Sequence, residues 1–177
     1  DMFHSAKRPF YQSTDTIFLK EIPQEAYSPF ITHHFEQGSR HIEPEAIMEI
    51  LRLTKSHTYY VQNLCNKLYG SGVKKINEMV VKNTLEQLLE EQEQFYLNYH
   101  QMLPEYQWKL LRAIANEVDG VQSIHSKYFI EKYKLNTQGT VQRAIQALLD
   151  KELIFEREEK YFVQDVFFSR WLEQNKI

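Results

Sequence analysis

Apolar positions recur at helical spacing along most of the chain. Between Gln24 and Gln37, Ala26, Tyr27, Phe30, Ile31 and Phe35 fall near a 3.6-residue period, and Gly38 supplies a stop. Pro44 suits the first turn of a second helix, with Glu43 and Glu45 at its positive end, a buried stripe of Ile47, Ile50 and Leu51, and Lys55 closing it. A third helix begins near His57 and carries Tyr60, Val61, Leu64, Cys65 and Leu68 on one face until Gly70-Ser71-Gly72 breaks it. From Lys75 to Met102, Ile76, Val80, Leu85, Leu88, Leu89, Phe95, Tyr96 and Tyr99 recur around acidic Glu90, Glu91 and Glu93. This stretch reads as one long helix or two.

Pro104 disfavours helix at the residue before it and commonly opens the next, so a domain junction is expected there. Beyond it the pattern predicts helices over Tyr106 to Val118, Ser126 to Tyr133 and Thr137 to Asp150. Strands follow at Leu153 to Glu156 and Lys160 to Val163, around the charged turn Arg157-Glu158-Glu159. Three helices and a hairpin make a winged helix-turn-helix, and the apolar stretch Val166 to Leu172 should pack back on it. Near the start, Thr16 to Ile22 has strand propensity and stops at Pro23. Nothing resembling a second strand follows for more than a hundred residues. That orphan strand is expected to have paired upstream of Asp1, and by itself should seek an edge in a second copy of the chain as a homodimer. The fold class is mostly α, a helical bundle over 24–103 followed by a winged helix with a small β-hairpin over 104–177.

Composition narrows the chemistry. With 42% hydrophobic and 25% charged residues a packed core is feasible. No apolar stretch approaches the roughly 20 residues that cross a bilayer, and no signal-peptide pattern opens the chain, so a cytoplasmic location and no membrane partner are expected. The single cysteine, Cys65, excludes an internal disulfide and a cysteine-based zinc site. Adjacent His33 and His34 point to different faces of a helix, so no metal site is expected. Glu90, Glu91 and Glu93 read as a solvated face. Cys65 and His57 stand two helical turns apart, which excludes a nucleophile–base pair. The formal charge of −3 removes a broad pull towards phosphate backbones.

Four places together resemble the C-terminal half of the archaeal-type ATPase family, a branch of the AAA+ and STAND-related P-loop NTPases. They are Met2-Phe3 with Lys7-Arg8-Pro9-Phe10-Tyr11; the strand ending at Ile22-Pro23; Ser56-His57-Thr58-Tyr59-Tyr60-Val61-Gln62; and Tyr161 to Leu172 with Asp165, Phe167, Phe168 and Trp171. The resemblance implies that residues 1–23 are a remnant of a P-loop core and 24–103 a helical lid. His57 then occupies the place of a histidine that opens a lid helix and faces nucleotide, with Thr58 where the family has proline. A helix N-terminus presents unpaired N–H groups there. Arg8 lies where related enzymes place an arginine finger.

None of the five glycines belongs to a phosphate-binding loop ending in Gly-Lys-Ser/Thr. The resemblance therefore implies a full-length parent that binds ATP and Mg, and a chain with no catalytic residue and no cofactor of its own. Its partners would be its own upstream ATPase core or another protein. The expected recognition helix exposes Gln138, Thr140, Gln142, Arg143 and Gln146, residues able to read base edges or meet a partner. From Glu105 to Ile177, however, eleven basic residues face eleven acidic ones, and Glu156, Glu158 and Glu159 crowd the wing. A DNA-binding regulator is thus the less favoured alternative, and a scaffold without nucleotide-linked behaviour a third.

Overall fold

The computed structural model describes residues 22–174, so Arg8 and all but the last residue of the orphan strand lie outside the described residues. Helix starts follow the residues that can start them. α1 (Gln24–Gln37) and α5 (Glu105–Ala115) follow Pro23 and Pro104, and α2 (Pro44–Leu53) has proline in its first turn. Proline there gives up an N–H that would have no intrahelical partner. Side-chain oxygens of Asn77, Ser126 and Thr137 cap α4 (Glu78–Met102), α6 (Lys127–Lys132) and α7 (Gln138–Asp150), each accepting from the N–H three residues on. Asp165 does the same for α8 (Val166–Gln174), taking the Phe168 N–H at 2.9 Å. α3 (Thr58–Gly70) follows His57, whose side chain makes no capping bond.

Helix ends are less conventional. After α1, α2, α6 and α7 the chain turns left-handed at Ser39, Lys55, Lys134 and Glu152, with φ between +48° and +55°. Glycine usually takes this position. In each case the next N–H reaches back to close the turn: Arg40 to Phe35, Ser56 to Leu51, Leu135 to Ile130 and Leu153 to Leu148, at 2.8 to 3.0 Å.

Two strands were not expected. β1 (His41–Ile42) and β2 (Lys75–Ile76) pair in parallel, joining the start of α2 to the start of α4 and burying Ile42 and Ile76. This corrects the expectation that no further strand precedes the hairpin, and it removes Lys75 and Ile76 from the following helix. Strands of two residues show no alternation to read. Beyond them Glu78 to Met102 is one helix.

In the C-terminal half, β3 (Ile154–Arg157) and β4 (Lys160–Val163) form an antiparallel hairpin with Ile154 opposite Val163. A single bridge between Val121 and Tyr161 adds a rudimentary third strand between α5 and α6. The order is helix, bridge, helix, helix, hairpin, which is the winged helix-turn-helix. One apolar core runs from Tyr27 to Leu172, crossing Pro104. α8 lies against both α4 and α5, and every residue from Val166 to Leu172 is buried. Among the described residues no helix is long and apolar enough to cross a membrane.

Candidate functional site

Two regions hold the residues singled out by the sequence. The first is the start of α3. His57 is exposed, and its ring meets the edge of Tyr60 at 5.1 Å between centroids. Thr58, standing where the resembled family has proline, puts its Oγ1 2.8 Å from the Tyr27 hydroxyl and so ties α3 to α1. Beside it a cavity of about 720 Å³ opens between α1 and α3, lined by Ala26, Phe30, His34, Gln62, Cys65 and Tyr69 among others. Cys65 is only partly buried, yet burial of its sulfur pushes the thiol up to about 12, which leaves it protonated and unreactive near neutrality.

Tyr60 leads away from His57 into the molecule. Its ring packs edge-on against Phe167 of α8 at 4.9 Å, and burial, with the Asp165 carboxylate beside it, pushes its hydroxyl up to about 12. Next to it Tyr96 of α4 stacks on Phe168 at 5.0 Å and tilts against Trp171 at 5.4 Å. Its hydroxyl donates to the Gln92 amide oxygen at 2.5 Å, and burial raises its pKa too. Aromatic pairs in these offset and edge geometries add about 0.5–1.5 kcal/mol each beyond their buried area. The seam thus joins α3 and α4 to α8.

Arg170 completes the seam, and the sequence reading missed it. It is 4% exposed; its Nε and Nη2 donate to the carbonyls of Leu53 and Arg52 at 3.0 Å each, while Nη1 grips the Glu173 carboxylate at 2.9 Å. The guanidinium therefore satisfies the Leu53 carbonyl that the end of α2 leaves open and adds a second donor to the Arg52 carbonyl, which also accepts the Lys55 N–H at 3.4 Å. The available signal was its position between Phe167-Phe168 and Trp171, a charge on an apolar stripe. Nearby, burial lowers the pKa of Lys55, helped by the Arg170 charge, and Lys55 Nζ lies 5.5 Å from the centroid of the Phe162 ring.

The second region is α7. It buries Val141, Ala144, Ile145 and Leu148 and turns Gln138, Gln142, Arg143 and Gln146 outward, with Thr140 half-buried. Most of these side chains are engaged locally. Gln138 donates to the His125 carbonyl at 3.0 Å, Arg143 Nε to the Gly139 carbonyl at 3.3 Å, and Gln146 to Asp150 at 2.8 Å. Thr140 Oγ1 lies 3.1 Å from that of Thr137. The wing presents Glu156, Glu158 and Glu159 to solvent, and Arg157 lies over the Phe162 ring at 5.6 Å. Residues 94–174 match the family model described as "Probable winged helix domain". This stretch is a winged helix. The match begins inside α4, where Tyr96 and Tyr99 pack on Phe168. No curated protein matches the chain. Among solved structures it is similar to the Thermotoga maritima RuvB Holliday junction branch migration motor, at 15% identity and a TM-score of 0.39. That alignment covers 86% of this chain and 49% of the other, so the chain spans about half the length of that protein. His57 precedes α3, whereas Gln138, Thr140, Gln142, Arg143 and Gln146 belong to α7. Among the described residues, no group of three or more His, Cys, Asp or Glu could hold a metal ion.

Proposed function

We propose that this chain is the regulatory C-terminal part of a P-loop ATPase, in which the helical half is a lid and the winged helix passes the lid's state to a protein contact. The observation that carries the reading is the ring series His57–Tyr60–Phe167, with centroid separations of 5.1 and 4.9 Å. It connects an exposed histidine at a helix N-terminus to the buried last helix of the winged helix. In the parent, ATP and Mg would be held by the upstream core, and His57 would add a donor towards phosphate. Arg8 is a second candidate contact for the same phosphates. Nucleotide would shift the lid between two orientations, so exposing or covering the winged-helix surface for the core or another protein.

The test is ATP binding by the product of the intact reading frame, measured by calorimetry with and without His57→Ala. An upstream loop ending in Gly-Lys-Ser/Thr and at least a tenfold loss on His57→Ala are expected. A reading frame without that loop, or binding indifferent to His57, sinks the reading. A second reading, DNA binding through the winged helix, is favoured by one observation: Gln142, Arg143 and Gln146 share the exposed face of α7.

A further inference from the structure

Besides the aromatic seam, the turn between α2 and α3 is a second place where the winged helix holds the helical half. Of the four helices that end in a left-handed residue other than glycine, α2 is followed by two in succession, Lys55 at φ +50° and Ser56 at φ +54°. Neither is glycine, so both bear the contact between Cβ and the following carbonyl that disfavours this region for L residues. The same turn is held from two sides. Arg170 of α8 donates to the Arg52 and Leu53 carbonyls, and the Phe162 ring of β4 lies beneath the Lys55 ammonium. His57 comes next and donates its N–H to the Thr54 carbonyl at 3.0 Å, so the turn sets the direction in which the chain enters α3.

We propose that the Arg170–Phe162 grip and the α2–α3 turn form a two-state latch, strained while the winged helix is docked on α2 and relaxed when it is withdrawn. With the grip engaged, Lys55 and Ser56 are left-handed and His57 stands outside α3. With it released, the two residues leave the left-handed region, the Ser56 N–H parts from the Leu51 carbonyl, and His57 is re-aimed. A strained segment persists only while its surroundings over-determine it, and here Arg170 and Phe162 add to the turn's own Ser56-to-Leu51 and His57-to-Thr54 backbone bonds. The latch belongs to this chain and holds whether or not a nucleotide is involved.

Residue-resolved amide hydrogen exchange on the full chain tests it. Arg170→Met keeps the apolar stem and removes the donors. Exchange at Ser56 and His57 should then accelerate at least tenfold more than at Val141, Ile145 and Leu148 of α7. Phe162→Leu, which takes the ring from beneath Lys55, should give the same localised pattern and serves if Arg170→Met does not fold. Adding Ser56→Gly to either variant should restore protection at His57 at least threefold, because glycine removes the strain that drives opening. Equal acceleration in the turn and in α7, no acceleration at Ser56 and His57, or no restoration by Ser56→Gly each overturns the latch.

Discussion

Arg170 caps a helix that ends 117 residues before it: its Nε donates to the Leu53 carbonyl at 3.0 Å from a side chain that is 4% exposed. Arg170→Ala orphans the Leu53 carbonyl, leaves the Arg52 carbonyl with only the Lys55 N–H at 3.4 Å, and takes from Glu173 its guanidinium partner. The expected loss is about 2 to 4 kcal/mol in urea unfolding. Arg170→Lys should recover less than half, since one ammonium cannot serve two carbonyls and a carboxylate in the fork geometry of a guanidinium. A loss below about 0.5 kcal/mol, the scale of ordinary surface changes, would mean that the grip contributes nothing.

Glu152 sits at the left-handed position after α7 with φ +55°, exposed and closing the turn through backbone bonds alone. Glu152→Gly removes the Cβ clash and should stabilise the fold by about 1 kcal/mol, the low end of the left-handed penalty for L residues. Thermal unfolding at neutral pH reads the gain. A lower midpoint would show that the unfolded-chain entropy of glycine outweighs the relief.

Gly120 is the opposite case. Its φ is +80°, and a Cβ there would stand 2.4 Å from the Phe162 ring tip. Gly120→Ala combines a left-handed alanine with overpacking against a ring that also carries Lys55 and Arg157. It should cost about 2 to 3 kcal/mol. Gly139→Ala, where nothing lies within 4 Å of the added carbon, is the matched control and should not destabilise.

Much of this architecture was legible because its signals are local. The 3.6-residue period found α1 with both its ends, the prolines at 44 and 104 marked helix starts, and the charged turn separated β3 from β4, although Arg157 belongs to β3 and only Glu158 and Glu159 make the turn. What stayed hidden is either very short or long-range. β1 and β2 are two residues each and pair across more than thirty positions. Lys55 and Lys134 carry no mark of a left-handed turn, because only the folded context forces lysine into one. At the candidate sites, His57 precedes the first residue of α3 and Gln138, Gln142, Arg143 and Gln146 lie exposed on α7, whereas Thr140, expected to be exposed, is half-buried. Arg170 was not legible as a cap, because its acceptors are backbone carbonyls that any residue could provide.

Glu49 predicts a pH dependence. Arg52 donates to both its oxygens at 2.7 Å, and this pairing holds the carboxyl below the usual carboxylate range despite burial. Because the folded value is the lower one, the stabilisation is complete above the unfolded value of about 4.3 and is lost as pH falls through the folded value. The stability difference between the natural chain and Glu49→Gln should stay level from pH ~7 to ~5 and shrink below about 4.3. Urea titrations across that range measure it, and a difference that widened on acidification would contradict the assignment.

The acidic wing makes a prediction about DNA. Specific contact through α7 would place Gln142, Arg143 and Gln146 towards base edges, but anchoring depends on lysines and arginines that meet phosphates. On α7 Arg143 already bonds the Gly139 carbonyl, while on α6 Lys132 is paired with Glu117 at 2.5 Å and Lys127 lies 3.7 Å from Glu131. Glu156, Glu158 and Glu159 would meet the backbone beside them. Each neutralised phosphate contributes about −0.9 to the slope of log K against log salt, so at most a slope of about −2 is expected for duplex DNA. Fluorescence anisotropy between 50 and 200 mM salt, roughly the range over which a true phosphate-anchored binder loses several decades, reads that slope. A shallow slope unchanged by Arg143→Ala supports a protein-facing winged helix. A steep one that flattens by about 1 with Arg143→Ala assigns the surface to DNA instead.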